Sequence, residues 1–90
     1  MNEFDLLKIF YDEMKAKGSS RDQVYLSVDE AMLGIMRHQF GDKIQIEDIE
    51  VLADICIANE WLERTTADPY YNFLSLTEAG LQITIARQYQ

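Results

Sequence analysis

The architecture of this chain is set by residues 59–81, which read Asn59-Glu60-Trp61-Leu62-Glu63-Arg64-Thr65-Thr66-Ala67-Asp68-Pro69-Tyr70-Tyr71-Asn72-Phe73-Leu74-Ser75-Leu76-Thr77-Glu78-Ala79-Gly80-Leu81. Residues 61–64 and 71–76 alternate with a period of two, which predicts two β-strands. Residues 65–70 between them include the only proline of the chain, so we expect a hairpin loop there. The alternation predicts a buried face shared by Leu62, Leu74 and Leu76.

Two helices and a short strand are predicted upstream of this region. Apolar residues at helical spacing predict a first helix over residues 2–17. A β-favouring run at residues 23–26 predicts a minor strand. Ser27 and Glu30 have the spacing of a capping box, which predicts that a second helix begins there and ends at Gly41. Its inward face is expected to contain Val28, Ala31, Met32, Ile35 and Gln39, widened by Leu33, Met36 and Phe40.

Two further helices flank the hairpin directly. Residues 47–59 predict a third helix, with Asn59 as its left-handed stop. Thr77 is placed to cap a last helix that runs from Glu78 to about Gln88. The inward face of the third helix is expected to contain Ile49, Leu52, Ala53, Cys56 and Ile57.

Length and charge limit the functions open to the chain. Ninety residues predict a single domain, 1–90, and eight Lys plus Arg against sixteen Asp plus Glu give a net charge of −8. Such a molecule as a whole repels phosphate backbones and anionic membrane surfaces. The sequence shows no membrane-spanning run and no signal peptide, so we expect no membrane association. With a lone cysteine, Cys56, a reducing, cytoplasmic location is expected.

No pattern of catalytic or metal-binding residues emerges. His38, the only histidine, lies near a helix end, and the sequence nominates no partner for it. Cys56 falls on an inward helical face, where it is expected to act as a small apolar side chain. The carboxylates of residues 47–54 lack the glycine-containing loop of a calcium site. We therefore expect no enzymatic activity, no metal and no cofactor.

The predicted order is helix, short strand, helix, helix, strand, wing, strand, helix, which resembles the winged helix-turn-helix superfamily. Asn59-Glu60-Trp61-Leu62-Glu63-Arg64 looks like the end of a recognition helix that runs into the first wing strand. Leu76-Thr77-Glu78-Ala79-Gly80-Leu81 is similar to the "LTEAG" segment of MarR-like and PadR-like regulators. The resemblance implies a small α+β winged-helix domain. It also implies that residues 47–59 take the recognition position and residues 64–72 form the wing.

The helix in the recognition position departs from the DNA-reading pattern. A DNA reader presents mostly basic and amide side chains on this helix. Here residues 47–60 contain five carboxylates and no Lys or Arg, so a groove lined with phosphates would repel the helix. Val51, Ile55 and Ala58 lie at helical spacing away from the inward stripe. They either form an outward apolar patch or widen the buried arc beneath the first helix.

Three functions remain open from the sequence. The first is a protein–protein interaction module whose partner has a basic and apolar surface, with contacts from Glu47, Glu50, Val51, Asp54, Ile55, Tyr70 and Tyr71. The second is a winged-helix DNA-binding transcriptional regulator, which could be a homodimer built through its terminal helices, with phosphate contacts from Arg21, Arg37, Lys43 and Arg64. The third is an acidic mimic of DNA that occupies a nucleic-acid-binding protein.

Overall fold

A computed structural model describes residues 1–88, which form four α-helices and one two-stranded antiparallel hairpin. This is the small α+β fold that the sequence predicts. Within the described residues, no helix is long and apolar enough to cross a membrane. In chain order, the elements are α1 (Glu3–Lys17), α2 (Glu30–Phe40), α3 (Ile46–Ala58), β1 (Leu62–Arg64), β2 (Leu74–Leu76) and α4 (Glu78–Gln88).

The two strands of the hairpin are shorter than predicted. Phe73 has a positive φ of 54°, which interrupts the extended backbone before β2. Residues 71–73 instead contact the segment before α2, where the Val28 amide donates to the Tyr71 carbonyl at 2.8 Å. The strands pair with Leu62 opposite Leu76, Glu63 opposite Ser75 and Arg64 opposite Leu74. The predicted buried face is confirmed, because Leu62, Leu74 and Leu76 are all at most 1% exposed.

The strand predicted at residues 23–26 is reduced to a single bridge. Arg21–Gln23 form a 3-10 turn, closed by the Gln23 amide, which donates to the Ser20 carbonyl at 3.1 Å. Because residues 21–23 take a helical and not an extended backbone, only Leu26 pairs with Leu74. Leu26 and Leu74 exchange both backbone hydrogen bonds, at 3.0 and 2.8 Å. This bridge occupies the edge of β2 opposite β1.

The predicted capping box of α2 is wrong. The Asp29 carboxylate caps the helix by accepting from the Met32 amide at 3.0 Å. The Ser27 hydroxyl instead accepts from the Phe73 amide at 2.9 Å, because residues 27 and 28 run beside the loop that precedes β2. The Ser27 side chain, which the local spacing predicts as a helix cap, thus forms a tertiary contact.

The stop after α3 is displaced by one residue. Asn59 keeps a φ of −88°, whereas Glu60 has the left-handed φ of 61°. The Trp61 amide then donates to the Cys56 carbonyl at 2.8 Å, which closes the helix end. The capping prediction for α4 is confirmed, and α1 is capped in the same way. The Asn2 side chain accepts from the Phe4 and Asp5 amides, and the Thr77 hydroxyl accepts from the Gly80 amide.

The core lies between α1, α2, α3 and the hairpin. The inward face of α3 is largely as predicted, with Ile57 only half-buried and the remaining four side chains buried. The inward face of α2 is narrower than predicted, because Ala31, Ile35, Gln39 and Phe40 are exposed, Ile35 to 45% and Phe40 to 40%. The buried side chains of these two helices are Met32, Leu33, Met36, Ile49, Leu52, Ala53 and Cys56.

Candidate functional site

The outward side of α3 is an acidic surface with apolar side chains at its centre. Val51 is 58% exposed and Ile55 is 36% exposed, so these residues do not belong to the buried arc beneath α1. Glu47 and Asp54 are exposed beside them, and Glu50 is half-buried. We call Glu47, Glu50, Val51, Asp54 and Ile55 the acidic α3 face. Within the described part of the chain, α3 carries no basic residue in its last turn.

The position of this face follows from how α3 begins and what it buries. The Asp48 carboxylate accepts a hydrogen bond from the Gln45 amide at 2.8 Å, which fixes the first turn. The carboxylates of Glu47 and Asp48 also lie at the positive end of the helix dipole. On the opposite side, Ile49 and Cys56 are completely buried. The helix is therefore a rigid support with a fixed rotation, and the acidic α3 face points to solvent.

Tyr71 connects the loop of the hairpin to this face. Its phenol O–H donates to the two carboxylate oxygens of Asp54, at 2.8 and 3.0 Å. The Arg64 guanidinium lies over the Tyr71 ring, 5.5 Å from its centre. The hydrogen bond to Asp54, followed by desolvation, raises the pKa of Tyr71 above its usual value. Tyr71 therefore links the acidic α3 face to the hairpin, where Arg64 packs against its ring.

The loop between the strands is held by its own polar contacts. Asp68 accepts from the Tyr70 amide and from the Asn72 side chain, both at 2.8 Å. The hydrogen bond from Asn72 is the main reason that the pKa of Asp68 is lowered. The Arg64 guanidinium donates to the carbonyls of Tyr70 and Pro69, at 3.4 and 3.3 Å. The loop is thus a defined structure in which the Tyr70 side chain is 69% exposed.

The basic residues expected to contact phosphate serve three separate parts of the fold. Arg21 pairs with Glu78 at 3.0 Å and donates to the Leu76 carbonyl at 3.3 Å. Arg37 donates to the Ile44 carbonyl at 2.8 Å, between α2 and α3. Arg64 is occupied in the hairpin loop, as described above, and Lys43 is exposed in the turn before α3. The three arginines therefore make local structural contacts rather than one shared cationic cluster.

The structure places the remaining reactive side chains apart from one another. Burial, with a smaller effect from Glu3, raises the pKa of the Cys56 thiol to about 12. His38 is exposed in the last turn of α2. Among residues 1–88, no group of three or more His, Cys, Asp or Glu side chains is arranged to hold a metal ion. The contact of Asp54 with Tyr71 is the feature of the site that sequence patterns did not indicate.

No protein-family model, curated protein or solved structure matches this chain. The chemistry of its surface is therefore the basis on which a function can be inferred.

Proposed function

We propose that this chain is a winged-helix protein that acts as a non-enzymatic protein–protein interaction module. The order of elements supports the fold proposal, because α3 leads directly into β1 and a long loop joins β1 to β2. The bridge between Leu26 and Leu74 lies on the edge of β2 away from β1. It corresponds to the short first strand of the winged-helix order. In this proposal α3 takes the recognition position and the loop forms the wing.

The exposure of Val51 is the main observation that supports this function. An isolated exposed apolar residue is common on protein surfaces. Val51 and Ile55, however, are one helical turn apart on the same helix, and the carboxylates of Glu47, Glu50 and Asp54 lie beside them. Apolar contact area with charged groups around it is the composition of a protein interface.

The charges of the acidic α3 face define the kind of partner. Its carboxylates favour a protein surface with basic residues around an apolar centre, because opposite charges speed encounter and exclude acidic partners. Contact with Val51 and Ile55 then contributes affinity through burial. Tyr70 and Tyr71 provide aromatic contact area on the wing beside the helix. The lone, buried Cys56 is consistent with a reducing cytoplasmic setting for this interaction.

Affinity capture from native cytosol with the full chain tests this function. We expect Val51→Arg and Ile55→Arg each to abolish recovery of a specific partner, because each introduces a positive charge at the apolar centre. Ile35→Arg on α2 is the matched control, since Ile35 is also an exposed isoleucine on a helix. Loss of the partner with Ile35→Arg, or its retention with both α3 variants, would contradict the proposal.

DNA binding is the second candidate, favoured by the order of elements and by the exposure of the third helix. A gel-shift assay at low salt addresses it directly, with Arg64→Ala as the test variant. We expect no retardation of duplex DNA by the native chain, because the acidic α3 face repels phosphates. If the native chain retards DNA and Arg64→Ala abolishes that retardation, DNA binding becomes the leading function. A DNA mimic, in contrast, would capture a nucleic-acid-binding protein that added DNA displaces.

A further inference from the structure

A cleft that shares no residue with the acidic α3 face is lined by α1, α2, residues 25–29 and Phe73. Its volume of about 290 Å³ is near the lower end of the roughly 300–1,000 Å³ of ligand pockets, so it can hold one long side chain. Ile9 of α1 and Met32 of α2 are both buried and supply apolar surface inside it. The cleft is therefore suited to an apolar stem.

Three large apolar side chains that line this cleft lie outside the core. Tyr25 is 50% exposed, Ile35 is 45% exposed and Phe73 is 55% exposed. Phe73 also has a φ of 54°, in the left-handed region that a residue of its size rarely adopts. Its backbone N–H donates to the Ser27 hydroxyl and its C=O accepts from the Thr65 hydroxyl, which fixes this conformation. Strained residues cluster at binding sites, so the conformation of Phe73 favours contact with a partner.

The charged side chains that line the cleft are carboxylates. They belong to Glu13 and Asp29, and the described lining residues include no Lys or Arg. Asp29 caps α2 through its Oδ1 atom and forms no salt bridge within residues 1–88. Glu13 pairs with Lys17 at 3.1 Å, but both side chains are well exposed, so this pair is weak and can exchange partners.

The positive end of the α2 dipole also lies at this cleft, since Asp29 is the cap of that helix. The dipole end amounts to about half a positive charge. Asp29 and Glu30, which lies in the first turn of α2, each carry a full negative charge. The charge beside the cleft therefore stays negative and favours a cationic group.

The geometry points to a docking site for an arginine side chain of a partner protein. Arginine combines an apolar stem with a cationic head, and its guanidinium stacks on aromatic rings and pairs with carboxylates. The stem packs against Ile9 and Met32. The guanidinium meets the rings of Tyr25 and Phe73 and the carboxylate of Asp29. This site goes beyond the function proposed above and does not rest on it.

A second copy of this chain is a poor source of that arginine. The chain has four arginines, and each is engaged within its own fold. Arg21 pairs with Glu78, and Arg37 and Arg64 donate to backbone carbonyls. The Arg87 guanidinium lies 3.8 Å from the centre of a phenylalanine ring. Two copies would also repel each other through their net charge of −8, so the occupant belongs to a different, basic protein.

An NMR titration of the full chain tests this site with a short blocked peptide in which one arginine lies between two leucines. We expect the amide signals of Tyr25, Ser27 and Phe73 to shift as the peptide binds. The matched control peptide carries citrulline, which has the shape of arginine without its charge. Its affinity should be about fivefold lower, because the cation–π and ion-pair contributions are lost.

Two variants change the cleft while they respect the backbone of the fold. Asp29→Asn keeps a helix-capping side chain and removes the charge, so it should weaken binding of the arginine peptide alone. Phe73→Asn tolerates the positive φ and removes the ring, so it should weaken binding of both peptides. Glu47→Gln on the acidic α3 face is the matched control and should leave both affinities unchanged. The remaining amide signals check that each variant keeps the native fold.

Four results would overturn the proposal. The first is equal affinity for the arginine and citrulline peptides, and the second is a set of shifts centred on Val51 and Ile55. The third is equal or tighter binding of the same peptide with lysine, which would reject guanidinium recognition. The fourth is a concentration-dependent shift of the same amides without peptide, which would assign the cleft to a second copy. In affinity capture, Ile35→Arg should lose only a partner held by this cleft, so failure of either site is distinguishable.

Discussion

Gly80 packs α4 tightly against Trp61 and the start of the hairpin. A Cβ atom at this position would collide with the Trp61 carbonyl oxygen and lie 2.9 Å from the Leu76 Cδ1 atom. Because the obstacle is backbone, a side-chain rotation cannot relieve it. We expect Gly80→Ala to lower the free energy of unfolding by about 1–3 kcal/mol, the usual cost of overpacking, as measured by urea denaturation.

Gly34 offers a control within the same chain. It lies inside α2, and a Cβ atom there would meet no atom within 4 Å. Alanine has the higher helix propensity, so Gly34→Ala is expected to raise the free energy of unfolding by about 0.5–1 kcal/mol. Equal effects of the two substitutions would refute the close contact at Gly80.

Cys56 makes the stability of the chain depend on pH above neutrality. Burial raises the pKa of its thiol to about 12, whereas the unfolded thiol ionises near 9.0. Between these values the unfolded chain loses a proton that the folded chain keeps. The free energy of unfolding should therefore fall by about 1.4 kcal/mol per pH unit through this interval. Unfolding curves from pH 8 upward measure this slope.

Cys56→Ala separates the thiol from other groups that titrate in the same interval. The variant loses some packing at every pH, but its stability should fall less steeply above pH 9 than that of the native chain. Tyr71, whose pKa is also raised, remains in both proteins and adds its effect to both curves at higher pH. Parallel curves would show that the thiol is not protected by burial.

At the scale of elements, the hydrogen bond of Tyr71 to Asp54 fastens the loop between β1 and β2 to α3. We expect Tyr71→Phe to lower the free energy of unfolding by about 0.5–1.5 kcal/mol, towards the smaller value because the contact is near solvent. Faster amide exchange in residues 65–73 should accompany this loss. Tyr70→Phe is the control, because the Tyr70 phenol makes no hydrogen bond within residues 1–88. Similar exchange in both variants would argue against the fastening role.

Periodicity predicted the core side chains of α3 and of the hairpin well, because these side chains repeat at the spacing of their element. The period of two placed Leu62, Leu74 and Leu76 together, and the helical period placed Ile49 and Cys56 inward. The same reasoning failed for Ile35, since α2 packs through a narrower stripe than its apolar content suggests. An exposed apolar residue and a core residue look alike in sequence.

Capping residues and the site contact were harder to predict, because both depend on distant segments. Ser27 has the spacing of a cap, but its hydroxyl bonds to the Phe73 amide, 46 residues away. Asp54 was expected on the outward face of α3, yet its link to Tyr71 requires the conformation of a loop. Local patterns contain no information about which loop returns to which helix.

At the scale of the whole molecule, the net charge of −8 is unevenly placed along the chain. Residues 47–60 hold five of its sixteen carboxylates and none of its basic residues. Contacts within the chain occupy the guanidinium groups of Arg21, Arg37 and Arg64. Under the winged-helix proposal, this anionic surface lies where a DNA reader would contact its target. It is for this reason that the function proposed above names a basic protein partner and not nucleic acid.

Reversing these charges tests whether α3 occupies that position. Under the winged-helix proposal, the double variant Glu47→Lys with Glu50→Lys should bind short duplex DNA at low salt. Its affinity should fall as salt rises, because each phosphate contact releases counterions. The control Asp12→Lys with Glu30→Lys changes two exposed carboxylates and produces the same net charge. We expect a gel shift only for the α3 variant, since its lysines alone would face the groove together. Equal retardation would mean that overall charge governs binding, and retardation of neither would argue against the winged-helix placement of α3.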